Sequence, residues 1–252
     1  MSAGEPAVLR EFKTDLHIHT CLSPCGDWEM SPRNIIQSSL DASLDLIAVC
    51  DHNTTENAGA VMREGRRRGI RVLPGLEICS KEEVHILAIF DELEQALAMQ
   101  EWVYAGLSGQ NQPEVFGYQI VANEDSEVLA ENPRLLIGAT RLGLGDIVRQ
   151  THALNGISVS AHVDRPANGI INQLGFIPPD LEIDGVEVSR RIALPRARQV
   201  LPDIGNLPCI TSSDAHFLKD IGAAYTVLRM ATATIAEIGF ALRGEQGRRI
   251  LV

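Results

Sequence analysis

The sequence predicts one α/β domain built on a parallel sheet or barrel. Three observations predict it. Short β-like runs alternate with helix-length segments from residue 12 to residue 243. Several of the runs are continuously apolar, the pattern of strands buried on both faces. At 252 residues the chain has the size at which an α/β barrel forms a single core.

Residues 12–17 read as the first strand. Ser31 is placed to cap a helix over 32–43, with Pro32 at the first helical position, where its missing amide hydrogen costs nothing. Residues 44–50 give a second strand and 57–69 a second helix, with Gly69 as its stop. Strands follow at 70–78 and 84–90, then a helix at 92–104. Beyond it lie helices at 145–154, 193–201 and 235–243 and strands at 157–161, 185–188, 208–211 and 223–230. The stretch of about 105–143 breaks the alternation and is too long for a structureless loop in a compact domain. Residues 118–123 and 126–130 flank Glu124-Asp125, so the stretch is expected to form a hairpin inserted into an otherwise single domain of residues 1–252.

The 33 acidic against 22 basic side chains give a net charge of −11. Such a field repels polyanions at long range, so stable nucleic-acid binding is not expected and a small phosphorylated substrate is. A cluster of divalent metals can still reverse the local potential inside an acidic protein. Five cysteines, three of them in or beside apolar runs, read as reduced thiols and point to a reducing, cytoplasmic location. No apolar run reaches the length of a membrane helix, and residues 1–10 do not resemble a secretory leader.

The chemistry begins at Asp15-Leu-His17-Ile-His19. On a regular strand these three polar side chains share a face, and a carboxylate beside two imidazoles is a metal-binding arrangement. The pattern recurs at strand ends: Asp51-His52, Glu77 after Pro74-Gly75, His85 at the head of the next apolar run, Ala161-His162, and Asp214-Ala215-His216. Each alone has a plain structural account. Asp51 reads equally as a helix cap or Asx turn, Glu77 as a paired carboxylate, and His85 as a core histidine. Together they are six polar intrusions into apolar strands, each costing about 1–3 kcal/mol unless partnered. In a parallel barrel the C-terminal strand ends open onto one face, where active sites sit, and a shared metal cluster there satisfies all six. His152, near the end of the helix at 145–154, reads as structural.

These motifs, in this order, resemble the polymerase and histidinol phosphatase (PHP) family. The resemblance runs from residue 12 to about 230 and implies a distorted (β/α)7 barrel holding two or three divalent metal ions, commonly Mn, Zn or Fe, and hydrolysing phosphate esters. Carried onto this chain, it implies that His17, His19, Glu77 and Asp214 bind one metal, that Glu77 bridges to a second held by His85 and His162, and that His52 and His216 serve a third. A further ligand to the third metal falls in the loop after His19, where Cys25 is the nearest match and Asp27 the alternative. A thiolate there favours Zn over Mn or Mg.

Metal-activated hydroxide suffices for in-line hydrolysis, so Asp15 and Asp51 are expected to orient ligands or relay protons rather than attack. Arg165, three residues after His162, is the leading cation for a phosphate group, with Arg190, Arg191, Lys81 and Lys219 behind it. Two other readings remain: an amidohydrolase acting on C–N bonds, and a non-catalytic metal-binding barrel. The insertion at 105–143 is expected to cap the site and restrict it to small esters.

Overall fold

Every segment predicted as a strand forms one. In the computed structural model, which describes residues 8–251, the chain runs β1 (Arg10–Ile18), α1 (Pro32–Asp41), β2 (Leu46–His52), α2 (Ala58–Arg68), β3 (Arg71–Cys79), β4 (His85–Ile89), α3 (Leu93–Gly106) and a single turn, α4 (Pro113–Phe116). It continues through β5 (Ile120–Ala122), β6 (Val128–Glu131), α5 (Leu144–Ala153), β7 (Ile157–Ser160), α6 (Ile170–Leu174), β8 (Gly185–Val188), α7 (Ala197–Val200), β9 (Cys209–Thr211), β10 (Thr226–Met230), α8 (Ile235–Arg243) and β11 (Arg249–Ile250). Ser31 and Pro32 start α1, and Gly69 ends α2 in the left-handed conformation at φ +81.

The main sheet has the order β11-β10-β1-β2-β3-β4-β7-β8-β9. It is not wholly parallel. β4 runs antiparallel to both β3 and β7, and β10 runs antiparallel to β1. The short link after Cys79 cannot make the crossover of a dozen or more residues that a parallel neighbour requires, so β4 must turn back on β3. The sheet curls until the chain beyond β9 meets the end of β1, where Ile18 pairs with Ala215 and the His19 amide donates to the Ala215 carbonyl at 3.0 Å. Seven strands, β1 to β4 and β7 to β9, thus enclose a nearly closed barrel, and β10 and β11 extend the sheet beyond β1. Lower on the seam the Thr226 hydroxyl replaces a strand ladder: it accepts from the Thr211 amide at 2.9 Å and donates to the Thr211 carbonyl at 2.8 Å.

Three apolar layers support this arrangement. Phe12, Leu16, Leu46, Leu73, Leu87 and Val159 cluster inside the barrel, and Ile235, Ile238 and Leu242 of α8 join them at the end away from the ligand-bearing loops. α1 and α2 pack Ile35, Ile36 and Val61 against Ile47, Val49 and Val72. α3 and α5 cover Ile78, Ile86 and Ala88 with Met99, Val103 and Ile147. Among the described residues no helix is long and apolar enough to cross a membrane.

The insertion forms the expected hairpin, with Ile120 opposite Glu131. It is lashed along the rim of the barrel. Asn57 holds it through the Ile120 carbonyl and the Ala122 amide, both at 2.9 Å, and Asn53 donates to the carbonyls of Leu136 and Gly138 at 2.7 and 2.8 Å. Arg63 and Arg67 of α2 pair with Glu124 and Asp125 at 2.9 and 3.0 Å. These contacts fasten the hairpin to α2 at the rim of the barrel, and Asn53, next to His52, holds the insertion beside the ligand-bearing end.

Candidate metal centre

The six strand-end signals converge on one place. β1, β2 and β3 deliver His17, His19, His52 and Glu77 there from their C-terminal halves or just beyond, and His162 follows the C-terminal end of β7. His85 arrives differently. It opens β4, and because β4 runs antiparallel its first residue lies at the same end of the barrel as the last residues of its neighbours. Asp214 and His216 come from the segment that closes the barrel on β1.

Glu77, 1% exposed, is the hub. Its Oε2 lies 2.9 Å from His52 Nδ1, and its Oε1 lies 2.8 Å from His85 Nδ1 and 2.9 Å from His162 Nε2. His17 Nε2 and His19 Nε2 are each 3.4 Å from one of its oxygens. His19 Nε2 also lies 3.1 Å from Asp214 Oδ1. Three ligand sets lie within reach of single ions: His17, His19 and Glu77; His52, Glu77 and His85; and His19, His52 and His216. The last two differ from the sets implied by the resemblance in moving His52 next to Glu77 and His85 and in sharing His19 with His52 and His216.

The hydrogen-bond network fixes which imidazole nitrogens face the cluster. Asp51 accepts from the Thr20 amide and from the hydroxyls of Thr20 and Ser23, at 2.7, 2.8 and 2.7 Å. With its proton committed to Asp51, Ser23 Oγ accepts from His19 Nδ1 at 2.9 Å. Glu187 Oε1 likewise accepts from His17 Nδ1 at 3.1 Å. Both imidazoles therefore aim a lone pair inward from Nε2, and these two nitrogens are 3.1 Å apart with Glu77 and Asp214 beside them. Four such acceptors facing one another could hold a metal ion. Burial opposes charge on His17, but Glu187, Asp214 and Glu77 hold its pKa well above the usual histidine value. Burial and the neighbouring His216 and His52 push His19 well below it. Glu77, despite its burial, is held well below the usual carboxylate range by His85, His17 and His52. Backbone strain marks the same place, with His162 at φ +28 and Asp214 at φ +49, conformations that cost non-glycine residues about 1–3 kcal/mol.

Cys25 joins the rim. Cys25 is exposed, yet its sulfur is 3.2 Å from His52 Nε2, and against the partial loss of solvent around the sulfur the charges of His52 and His216 bring the thiol down to about 6. Asp27 accepts from the Glu29 amide at 2.8 Å and so caps a turn, while its own amide donates to the His216 carbonyl. The cavity above the cluster holds about 650 Å³ and is lined by His52, Glu77, His85, His162, Asp214 and His216 together with Arg165, Asn168, Arg191 and Ile137. Ile137 is the insertion's sole contribution to that lining. Arg165 reaches Asp214 Oδ2 at 2.5 Å. Arg190 turns away to Asp220, Lys81 lies near Glu82, and Lys219 stacks over Phe217. His152 bonds Asp184 at 2.8 Å, apart from the cluster.

Asp15 does not share the histidines' face. The β1–β2 register slips between Asp15 and Ile18, and such a bulge re-aims the side chains on either side of it. Asp15 instead accepts from the amides of Ser213 and Gly222, both at 3.0 Å, and thereby fixes the segment carrying Asp214 and His216. Burial raises its pKa to about 6. A carboxyl whose folded pKa exceeds its unfolded value favours the folded state most at low pH, and that advantage fades as pH rises from about 4 through about 6. Thermal unfolding of Asp15→Asn across that window is expected to lose this component of the pH dependence and to show a loss of about 1–3 kcal/mol for one unmet amide. An unchanged profile contradicts the assignment.

Glu187, missing from the sequence reading, completes the cluster. It is 1% exposed, accepts from His17 Nδ1 and from the His162 amide, and leaves Oε2 without a hydrogen-bond partner among the described residues. A buried acidic residue in the four-residue strand Gly185–Val188 was the available signal, since such a charge is costly without a partner.

The PHP-associated family matches residues 195–246. The chain is 28% identical over 143 residues to the 5′-3′ exoribonuclease Rnm of Escherichia coli, an alignment covering 55% of this chain and 45% of that protein. Its fold is shared with endonuclease Q of Pyrococcus furiosus, a lesion-specific endonuclease, at a TM-score of 0.71 and 18% identity, over 96% of this chain and 58% of that one. It is also shared, at a TM-score of 0.70 and 20% identity, with endonuclease Q in complex with a 27-mer duplex substrate bearing an abasic lesion at its active site, over the same shares of the two chains. The chain spans about half the length of these relatives. The expectation of a small substrate without nucleic-acid binding is overturned by these endonuclease structures, one of which holds duplex DNA at its active site. Net charge is a poor guide, since metals and rim arginines at a site can set a local field opposite in sign to the sum over the surface. The match to the PHP-associated model at residues 195–246 and the fold shared with endonuclease Q agree with the family resemblance read from the strand-end motifs.

Proposed function

We propose that this chain hydrolyses phosphodiester bonds in nucleic-acid strands or at their ends. In this reading His17, His19, Glu77 and Asp214 hold one metal, Glu77 shares a second with His85 and His162, and His52, His216 and Cys25 take a third. The observation that carries the reading is Glu77, whose two oxygens face separate groups of imidazoles. Metals bound there supply Lewis acidity and an activated water. The chain's own groups do the rest. Glu187 and the Asp51–Ser23 pair lock His17 and His19 with Nε2 inward. Arg165 and Arg191 line the cavity where phosphate oxygens need charged donors.

The likeness to an exoribonuclease and to endonuclease Q supports a nucleic-acid substrate. Hydrolysis of C–N bonds is less favoured, since no lysine is among the described cavity residues and Glu77 fills the bridging position. The test is removal of metal with a chelator and reloading with Mn, Zn or Fe. Cleavage of bis(p-nitrophenyl) phosphate and of oligonucleotides is expected to vanish and return with the metal. Undiminished cleavage by protein shown metal-free by elemental analysis defeats the proposal.

A further inference from the structure

Exposed aromatic rings are few in this chain, and they are not scattered. Of six among the described residues, Trp28, Phe116, Tyr118, Phe176, Phe217 and Tyr225, four stand on three segments that meet beside Cys25 and His216. Trp28, 80% exposed, follows Asp27, whose amide is bonded to the His216 carbonyl at 2.8 Å. Phe217, 45% exposed with the Lys219 ammonium over one face of its ring, is the next residue after His216. Phe116 and Tyr118 flank Gly117, which packs on the loop just before Cys25: a Cβ at Gly117 would lie 2.2 Å from the Pro24 carbonyl oxygen, and its φ is +101. Only glycine fits there, so the insertion is held tight against this loop with Tyr118 65% exposed.

We infer that this aromatic rim is a stacking subsite for unpaired bases of a single strand whose phosphate occupies the neighbouring centre. The inference rests on the phosphodiesterase reading and names its substrate class. Exposed rings at the edge of a phosphoester site offer what nucleobases use without regard to sequence, a flat apolar face. The local charge agrees. Asp27 and Glu29 flank Trp28 and repel phosphates, so the part of a nucleotide admitted here is its uncharged base, while Arg165 and Arg191 line the cavity itself. The rim sits at the His52–Cys25–His216 edge, so a strand held by its phosphate in the cavity would pass its adjoining bases across it. A second copy of the chain, docking through the exposed strand β6, is the competing occupant.

The chain has two tryptophans, Trp28 and Trp102, so a Trp102→Phe background leaves Trp28 as the reporter. Titration of the metal-loaded protein with a methylphosphonate-linked oligothymidylate carrying a single 5′-phosphate, which resists hydrolysis, reads binding without catalysis. The expected result is quenching of Trp28 by the single strand and not by a blunt duplex. In the same background Tyr118→Ala with Phe217→Ala is expected to weaken binding about tenfold. Because stacking releases no counterions, the slope of log affinity against log salt should stay the same. Tyr118→Phe with Phe217→Tyr should restore binding, which separates loss of the rings from loss of the fold. Absence of quenching, or alanine variants that bind as tightly as the parent, overturns the inference. So does sedimentation showing a parent dimer that these substitutions dissociate. Failure of the metal-loaded parent to cleave bis(p-nitrophenyl) phosphate overturns the proposed function instead.

Discussion

Replacing Glu77 by glutamine is expected to strip metal from the centre and reduce phosphodiester hydrolysis at least about 100-fold, since metal Lewis acidity contributes several kcal/mol and each 1.36 kcal/mol is a factor of ten. The reason is geometric. Both oxygens of Glu77 are engaged, one with His52 and the other with His85 and His162. Glutamine keeps the shape but removes the charge and turns one acceptor into a donor facing an imidazole. The fold should persist, because β3 is held by β2 and β4 along its length. Elemental analysis and turnover measured on one preparation check this. A Glu77→Gln protein retaining both metal content and rate removes the basis of the ligand assignment.

Glu187→Gln is the second substitution with a large expected effect. Glu187 touches no proposed substrate position; it holds His17 by Nδ1 and the His162 turn by its amide. With a glutamine the Nδ1 donor can still be met by the amide oxygen, but the negative charge that makes His17 a stronger ligand is gone. Substitution of such outer partners costs about 10–100-fold in metal affinity or activity. The discriminating measurement is metal affinity by competition with a chelator, alongside turnover at saturating metal. An affinity equal to that of the parent confines Glu187 to a packing role.

The outline of the fold was legible because apolar runs and their spacing depend on local sequence. The direction of β4 was not spelled out, yet the link from Cys79 to His85 is too short for a parallel crossover, and that length alone could have turned the strand around. His85 was read at the head of its strand, which in a wholly parallel barrel is the end away from the other ligands, and the reversal of β4 is what brings it to them. The histidines were legible because imidazoles in apolar strands are costly without partners. Asp15 was read onto their face by strict alternation, and the register slip in β1 defeated that reading; no residue type announces such a slip. Asp51 was expected to orient a ligand, and its contact with Ser23, through which it holds His19, needed coordinates. The hairpin was legible in the insertion, but its destination was set by Asn53, Asn57, Arg63 and Arg67, polar residues that read only as a turn and a solvated helix face.

The barrel seam has a consequence for the order of assembly. β1 and the segment after β9 are joined by one backbone pairing and by Asp15, whose carboxylate accepts from the Ser213 amide 198 residues away. Contacts of such sequence separation form late in folding, because loop-closure entropy must be met before they return any stabilisation. His17 and His19 stand on one side of that seam and Asp214 and His216 on the other, so the full ligand set exists only once the circle is complete. Metal capture is accordingly expected to report the last step of folding, and in a refolding experiment it should trail the recovery of helical signal.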